Sequence, residues 1–169
     1  SVVDCLREFK GVGRRFAEVG DLQFGDGHVL VIEDYGHHPS ELEATIAAAR
    51  EGWPEQRIVA VFQPHRYTRT ASLFDEFSRV LSEADIVVLT DIYAAGETAI
   101  EGVDSAALCK SMRARGKVDP ILVHAVEELS TSLPPLLQDG DLVLLMGAGS
   151  IEQIAHELRD TGFRWGEAA

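Results

Sequence analysis

Lysine is nearly missing from this 169-residue chain: only Lys10, Lys110 and Lys117 occur, and arginine supplies the rest of the positive charge. A phosphate-gripping P-loop needs a lysine directly after its second glycine. None of the three follows a glycine-rich strand end, so that device is excluded. Cysteine is as scarce. Cys5 and Cys109 lie far apart on amphipathic stretches and are expected to be reduced, partly buried thiols rather than a disulfide. No apolar run approaches the ~20 residues of a membrane helix, and no secretory or transit signal opens the chain. Membrane insertion is therefore not expected. Basic residues number 15 against 28 acidic ones, a formal net charge of −13. A surface of that sign argues against nucleic acid as a partner.

The chain does have short apolar runs, each ending in a polar loop. Val29-Leu30-Val31-Ile32 leads into Glu33-Asp34-Tyr35-Gly36-His37-His38-Pro39. Ile58-Val59-Ala60-Val61-Phe62 leads into Gln63-Pro64-His65-Arg66-Tyr67-Thr68-Arg69-Thr70. Ile86-Val87-Val88-Leu89-Thr90 leads into Asp91-Ile92-Tyr93-Ala94-Ala95-Gly96-Glu97. Further strands are expected at Ile121-Leu122-Val123 and Leu142 to Met146. Helical spacing lies between the runs. Leu42, Ile46 and Ala49 mark one helix after Pro39, and Leu73, Phe74, Phe77, Val80 and Leu81 a second. A third lies around Ala106 to Arg113, a fourth starts at Val126 and is cut short or kinked by Pro134-Pro135, and a last one carries Ile151, Ile154, Ala155 and Leu158.

Strands apolar on both faces and separated by helices predict an α/β fold: a doubly wound, mainly parallel sheet with helices on both faces. Before it, residues 1–10 have a helical stripe stopped by Gly11 and Gly13, and Arg15–Val19 and His28–Glu33 predict a hairpin turning through Gly25-Asp26-Gly27. With no initiator methionine and a helix already under way at Ser1, the chain reads as a piece of a longer protein.

In such a sheet, ligands bind at the carboxyl edge of the strands, where the polar loops belong. Arg66 and Arg69 lie three apart, and planar guanidinium forks suit a carboxylate. If Thr70 caps the following helix, both could reach one small acid, with His65 and Tyr67 as further donors. Salt bridges to Asp75, Glu76 or a neighbouring loop are the structural alternative. His37-His38 lacks the cysteine or spaced third histidine of a zinc set, so the pair is expected to hold an anion or a neighbouring loop, with helix capping as the alternative. Gly147-Ala148-Gly149-Ser150 begins like a dinucleotide fingerprint, but Glu152 stands where the third glycine belongs. The glycines are expected to serve a tight strand-to-helix turn.

Asp34-Tyr35-Gly36-His37-His38-Pro39, Phe62 through Thr70, Tyr93-Ala94-Ala95-Gly96-Glu97 and Gly147-Ala148-Gly149-Ser150-Ile151 together resemble the C-terminal part of the UDP-N-acetylmuramate–L-alanine ligases of the Mur ligase family. Gly11-Val12-Gly13-Arg14-Arg15-Phe16 resembles the end of that family's central ATPase domain. The resemblance implies a domain division with residues 1–34 as the end of the ATPase domain plus a linker hairpin, and 35–169 as a Rossmann-like, amino-acid-binding domain. It further implies an ATP-dependent amide ligase of peptidoglycan synthesis in the bacterial cytoplasm, with L-alanine, ATP and UDP-N-acetylmuramate as partners. ATP and Mg2+ would serve the full-length enzyme, with none expected on this piece alone, which should not catalyse ligation. By motif, Arg15 would be catalytic at the transferring phosphate, and Arg15 and Asp34 nucleotide-binding. Tyr35, His37, His38, His65, Arg66 and Arg69 would bind substrate, and no residue a metal. Glu33 stands where the family usually has a first aspartate, with the same charge and a longer reach. A related murein-peptide recycling ligase and a non-catalytic binding module for small carboxylates are the alternatives.

Overall fold

The computed structural model describes residues 15–161. The expected first helix, Cys5 and Arg14 lie outside them. Six strands form one sheet: β1 (Ala17–Phe24), β2 (Gly27–Asp34), β3 (Ile58–Phe62), β4 (Ile86–Leu89), β5 (Ile121–Leu122) and β6 (Leu142–Met146). Their spatial order is β1-β2-β6-β3-β4-β5. β1 and β2 pair antiparallel, and every other pairing is parallel. The expected hairpin thus forms the edge of the same sheet. Its strands run longer than the spacing suggests, and a register shift between Glu18 and Gly20 bends β1.

The helices are α1 (Pro39–Gly52), α2 (Tyr67–Ser72), α3 (Phe74–Leu81), α4 (Ser105–Arg115), α5 (Leu129–Ser132) and α6 (Glu152–Asp160). The segment after Val126 is broken into a 3-10 turn at Val126–Glu128, α5, and a second 3-10 turn at Pro134–Leu136. Pro134 and Pro135 explain the break, since neither can donate a helical hydrogen bond.

Alternation along the strands builds two cores. Ile58, Ala60 and Phe62 of β3, with Leu142, Leu144 and Met146 of β6, face α1, α3 and α4 through Leu42, Ile46, Phe77, Leu81, Leu108 and Met112. Val59, Val61, Val143 and Leu145 face the opposite layer of Leu129, Leu133, Ile154 and Leu158. All ten residues of β3 and β6 are buried. Cys109 is a free thiol in the first core, and burial pushes its pKa up. No helix among the described residues is long and apolar enough to cross a membrane.

The amino edge of the sheet is tied by ion pairs. Arg57 lays Nε and Nη2 on the buried Asp141 at 3.0 and 2.7 Å, and Nη2 also donates to the Leu136 carbonyl. Asp85 accepts from Arg50 and from the Ile58 amide, each at 2.8 Å.

Candidate functional site at the carboxyl edge

β6 enters between β2 and β3, so the loops after β2, β6, β3 and β4 lie in that order along the carboxyl edge. Four rings form a row across them. Tyr35 and His37 lie 6.3 Å apart between centroids, His37 and His65 5.8 Å, and His65 stacks on Tyr93 at 5.5 Å and 16°. The row crosses the β6–α6 turn at Gly149, where an added Cβ would lie 2.6 Å from Tyr93 Cγ and 2.7 Å from Gln63 Oε1. The glycine is there because Tyr93 and Gln63 occupy the space above it. Gln63 is buried and holds this turn: Oε1 accepts from the Ile151 amide at 3.0 Å, and Nε2 donates to Ser150 Oγ at 2.8 Å. The glycine pair therefore serves a tight turn, as its sequence suggests.

The arginine loop is zipped to the loop after β4. Tyr93 N donates to Pro64 O and Arg66 N to Tyr93 O, both at 2.8 Å. Arg69 Nη1 lies 3.1 Å from both the carbonyl oxygen and Nδ1 of His65. A guanidinium cannot accept, so His65 Nδ1 carries no proton and the ring is a neutral Nε2–H tautomer. Its pKa is lowered by burial first, then by Arg69, His37 and Arg66. His37 Nδ1 faces the Tyr35 carbonyl at 3.2 Å and must be the donor there.

Arg66 is exposed, and among the described residues its side chain makes no hydrogen bond or ion pair; neither it nor Arg69 pairs with Asp75 or Glu76. Thr70 does not cap the helix. α2 starts earlier, at Tyr67, and the buried Thr70 hydroxyl donates back to the Arg66 carbonyl at 2.8 Å. The cap position is Arg66 itself, at φ 71 and ψ 140. Phe16, Arg66 and Ala95 are the non-glycine residues with positive φ among those described, and all three stand on this edge. Strain held in this way clusters at functional sites.

Arg15 and Asp34 form the other end of the rim. Arg15 lies over the Tyr35 ring at 4.4 Å, donates to its hydroxyl at 2.5 Å, and pairs with Glu41 at 3.1 Å. The Tyr35 bond is the first cause of its raised pKa. Asp34 accepts from the Phe16 amide at 2.9 Å through Oδ2 and from Gly36 at 2.7 Å through Oδ1, so each oxygen already holds backbone. Burial raises its pKa above the usual aspartate range, against the pull of those two amides and Arg15. A cleft of about 280 Å³ opens between Arg15, Asp34 and the Ser40, Ala44 and Ala48 face of α1. His38 stands apart from the ring row. Its Nδ1 lies 2.9 Å from Ser40 Oγ and accepts from the Ser40 amide at 3.3 Å, and Glu41 returns a bond to its amide, a capping box for α1.

The fold therefore brings Tyr35, His37, His65 and Arg69 together, sets Arg66 at their border, joins Arg15 to them through Tyr35, and gives Asp34 and His38 structural partners. Tyr93 and Gln63, placed by the sequence in the edge loops after β4 and β3 but given no role there, complete the arrangement. No group of three His, Cys, Asp or Glu able to hold a metal exists among the described residues. The chain also lacks a P-loop lysine.

A family model described as the Mur ligase, glutamate ligase domain matches residues 14–149. The UDP-N-acetylmuramate-alanine ligase of Thermotoga maritima is similar over 94% of this chain and 32% of its own, at 26% identity and TM-score 0.70. A murein peptide ligase of Psychrobacter arcticus matches over 96% and 32%, at 19% identity and 0.69. The bifunctional folylpolyglutamate synthase/dihydrofolate synthase of Yersinia pestis, solved with AMPPNP and a Mn ion, matches over 90% and 32%, at 15% and 0.57. This chain spans about a third of each.

Proposed function

Because the chain belongs to the Mur ligase family, whose members are ATP-dependent amide ligases, we propose that it binds the incoming amino acid for the ligase that adds L-alanine to UDP-N-acetylmuramate. One observation carries this reading. Tyr35, His37, His65 and Arg69 share a rim bordered by Arg66, whose guanidinium is left unengaged by the described residues. Arg66 and Arg69 grip the amino acid's carboxylate through paired charge-assisted bonds. The neutral His65 ring orients Arg69 without competing for the anion, and Tyr35 and His37 close the side toward β2. Arg15 supplies positive charge at the nucleotide end of the rim, and Asp34 fixes the Phe16 backbone beside it. The domain junction expected at residue 34 would part β2 from β6, with which it pairs, so we place the junction ahead of the hairpin.

ATP, when bound between the domains, supplies the phosphoryl group that activates the acceptor carboxylate, and Mg2+ accompanies it. Both are held mainly by residues other than those described. The isolated chain accordingly does not ligate, and alanine-dependent ATP hydrolysis by it would refute that. In the enzyme carrying all its domains, Arg66→Ala is expected to raise the L-alanine KM far more than the ATP KM. Equal effects on both overturn the assignment. Preference for a tripeptide over L-alanine in the same assay would identify a murein-peptide ligase instead.

A further inference from the structure

The sequence places Tyr93-Ala94-Ala95-Gly96-Glu97 on the same edge as the arginine loop, yet the acceptor reading gives Glu97 no task. We propose that Glu97 is a positioning residue, a helix cap supplied from another loop that holds Arg66 and Arg69 in their presenting geometry. α2 is only six residues long and has no side-chain cap of its own, and a helix that short does not stand unaided. Glu97 Oε1 accepts from the Thr68 amide at 3.1 Å, and Oε2 accepts from Thr68 Oγ1 at 2.6 Å. These are the contacts a capping side chain makes, made here by a residue 29 positions away.

The geometry around Glu97 serves that placement. Ala95 at φ 51 and Gly96 at φ 84 turn the chain back, and Glu97 N donates to Ala94 O at 3.0 Å. On the other strand of the zipper, Arg66 is fixed on both sides of its strained backbone, its amide on Tyr93 O and its carbonyl under Thr70. Both Glu97 oxygens face Thr68, so its charge is felt by Arg66 and His65 without forming an ion pair with either. The carboxylate is held below its ordinary range, first by the Thr68 hydroxyl, then by the Thr68 amide, with smaller help from the Tyr67 amide and Arg66. The cap consequently stays charged throughout the neutral range.

A carboxylate near Arg66 invites a competing explanation, in which Glu97 merely screens the arginine. The two predict opposite signs. The whole chain, isotopically labelled, is compared with Glu97→Ala and Thr68→Val by amide hydrogen exchange and by titration with L-alanine. Positioning predicts roughly tenfold faster exchange at Arg66 and Thr70 in Glu97→Ala, as expected when a cap is lost, and a smaller increase in Thr68→Val, which keeps the amide bond, with β3 amides unchanged. It also predicts L-alanine binding weaker by about five- to tenfold, and a Thr68 amide resonance that titrates in acid in the wild type and not in Glu97→Gln. Unchanged local exchange in Thr68→Val, or tighter L-alanine binding in Glu97→Ala, overturns it. Should Glu97→Ala loosen the whole fold, Thr68→Val alone decides, since it removes one hydroxyl from an exposed side chain. The binding arm rests on the acceptor reading. If the wild-type chain ignores L-alanine, that reading is weakened, while the exchange and titration arms still decide the role of Glu97.

Discussion

The two edges of the sheet use the same residue types in opposite ways. At the amino edge Arg57 commits both Nε and Nη2, to the buried Asp141 and the Leu136 carbonyl. At the carboxyl edge Arg66 is exposed on a backbone that only glycine adopts freely, and no described residue binds its guanidinium. Where the first arginine lowers the free energy of the fold, the second raises it and leaves its donors available. The aspartates differ as well. Burial pushes Asp85 up, but Arg50, the Ile58 amide and Arg57 together bring it below the usual range. Asp34, with two amides but more complete burial, ends above it. The proposed site thus lies where stability is given up.

The largest test of this contrast is Asp141→Ala, which leaves the partly buried Arg57 without its partner. A loss of about 3 kcal/mol in urea unfolding is expected, and a loss below ~1 kcal/mol would show the amino edge to be as loosely held as a surface pair. Next is Gly149→Ala. Its new methyl meets the Cβ of Tyr93, which the backbone fixes, and the Cγ, which moves only if the ring leaves its stack on His65. Roughly 1–3 kcal/mol should be lost, with a displaced His65 ring resonance, because the two rings stack. A neutral outcome would mean the row is not held by this close approach.

Arg66→Gly reverses the sign. Relief of the positive φ is expected to stabilise the chain by about 1 kcal/mol while abolishing L-alanine binding. A destabilised variant would mean that the side chain is there to hold the fold. The smallest effect is in the pH profile. Asp85 contributes stability that is full above the ordinary aspartate pKa of about 3.9 and is lost as pH falls through its depressed folded value. Asp34 contributes stability that is full below about 3.9 and is lost as pH rises through its elevated folded value. Asp85→Asn should therefore flatten the acid limb of the stability profile, and Asp34→Asn the weakly acidic limb above it. Slopes changed in the same direction by both would remove the distinction between the edges.

Much of this architecture was legible in the residues. β3 and β6 are uninterrupted apolar runs, and α1 opens with Pro39 behind a capping histidine and closes where periodicity stops at Gly52. The doubled proline announced the broken segment after Val126. The arginine loop was legible as chemistry but not as geometry. α2 begins before Thr70 because its cap comes from Glu97, and a propensity confined to neighbours in sequence cannot register a partner 29 residues on. The same holds for the start of α6, whose amide at Ile151 is met by Gln63 from the loop after β3. His38 shows the reverse case: its cap is local, within three residues, and so was visible as an alternative.

The sequence by itself determined the elements, which face of each is apolar, and which loops carry arginine, histidine and tyrosine, because periodicity and turn chemistry act over a few residues. Only the tertiary structure decided that β6 runs between β2 and β3, and therefore that Tyr35, His37, His65 and Tyr93 form one row above a glycine. Strand order follows from how whole layers cover one another, a constraint spread over the entire core and written in no single segment.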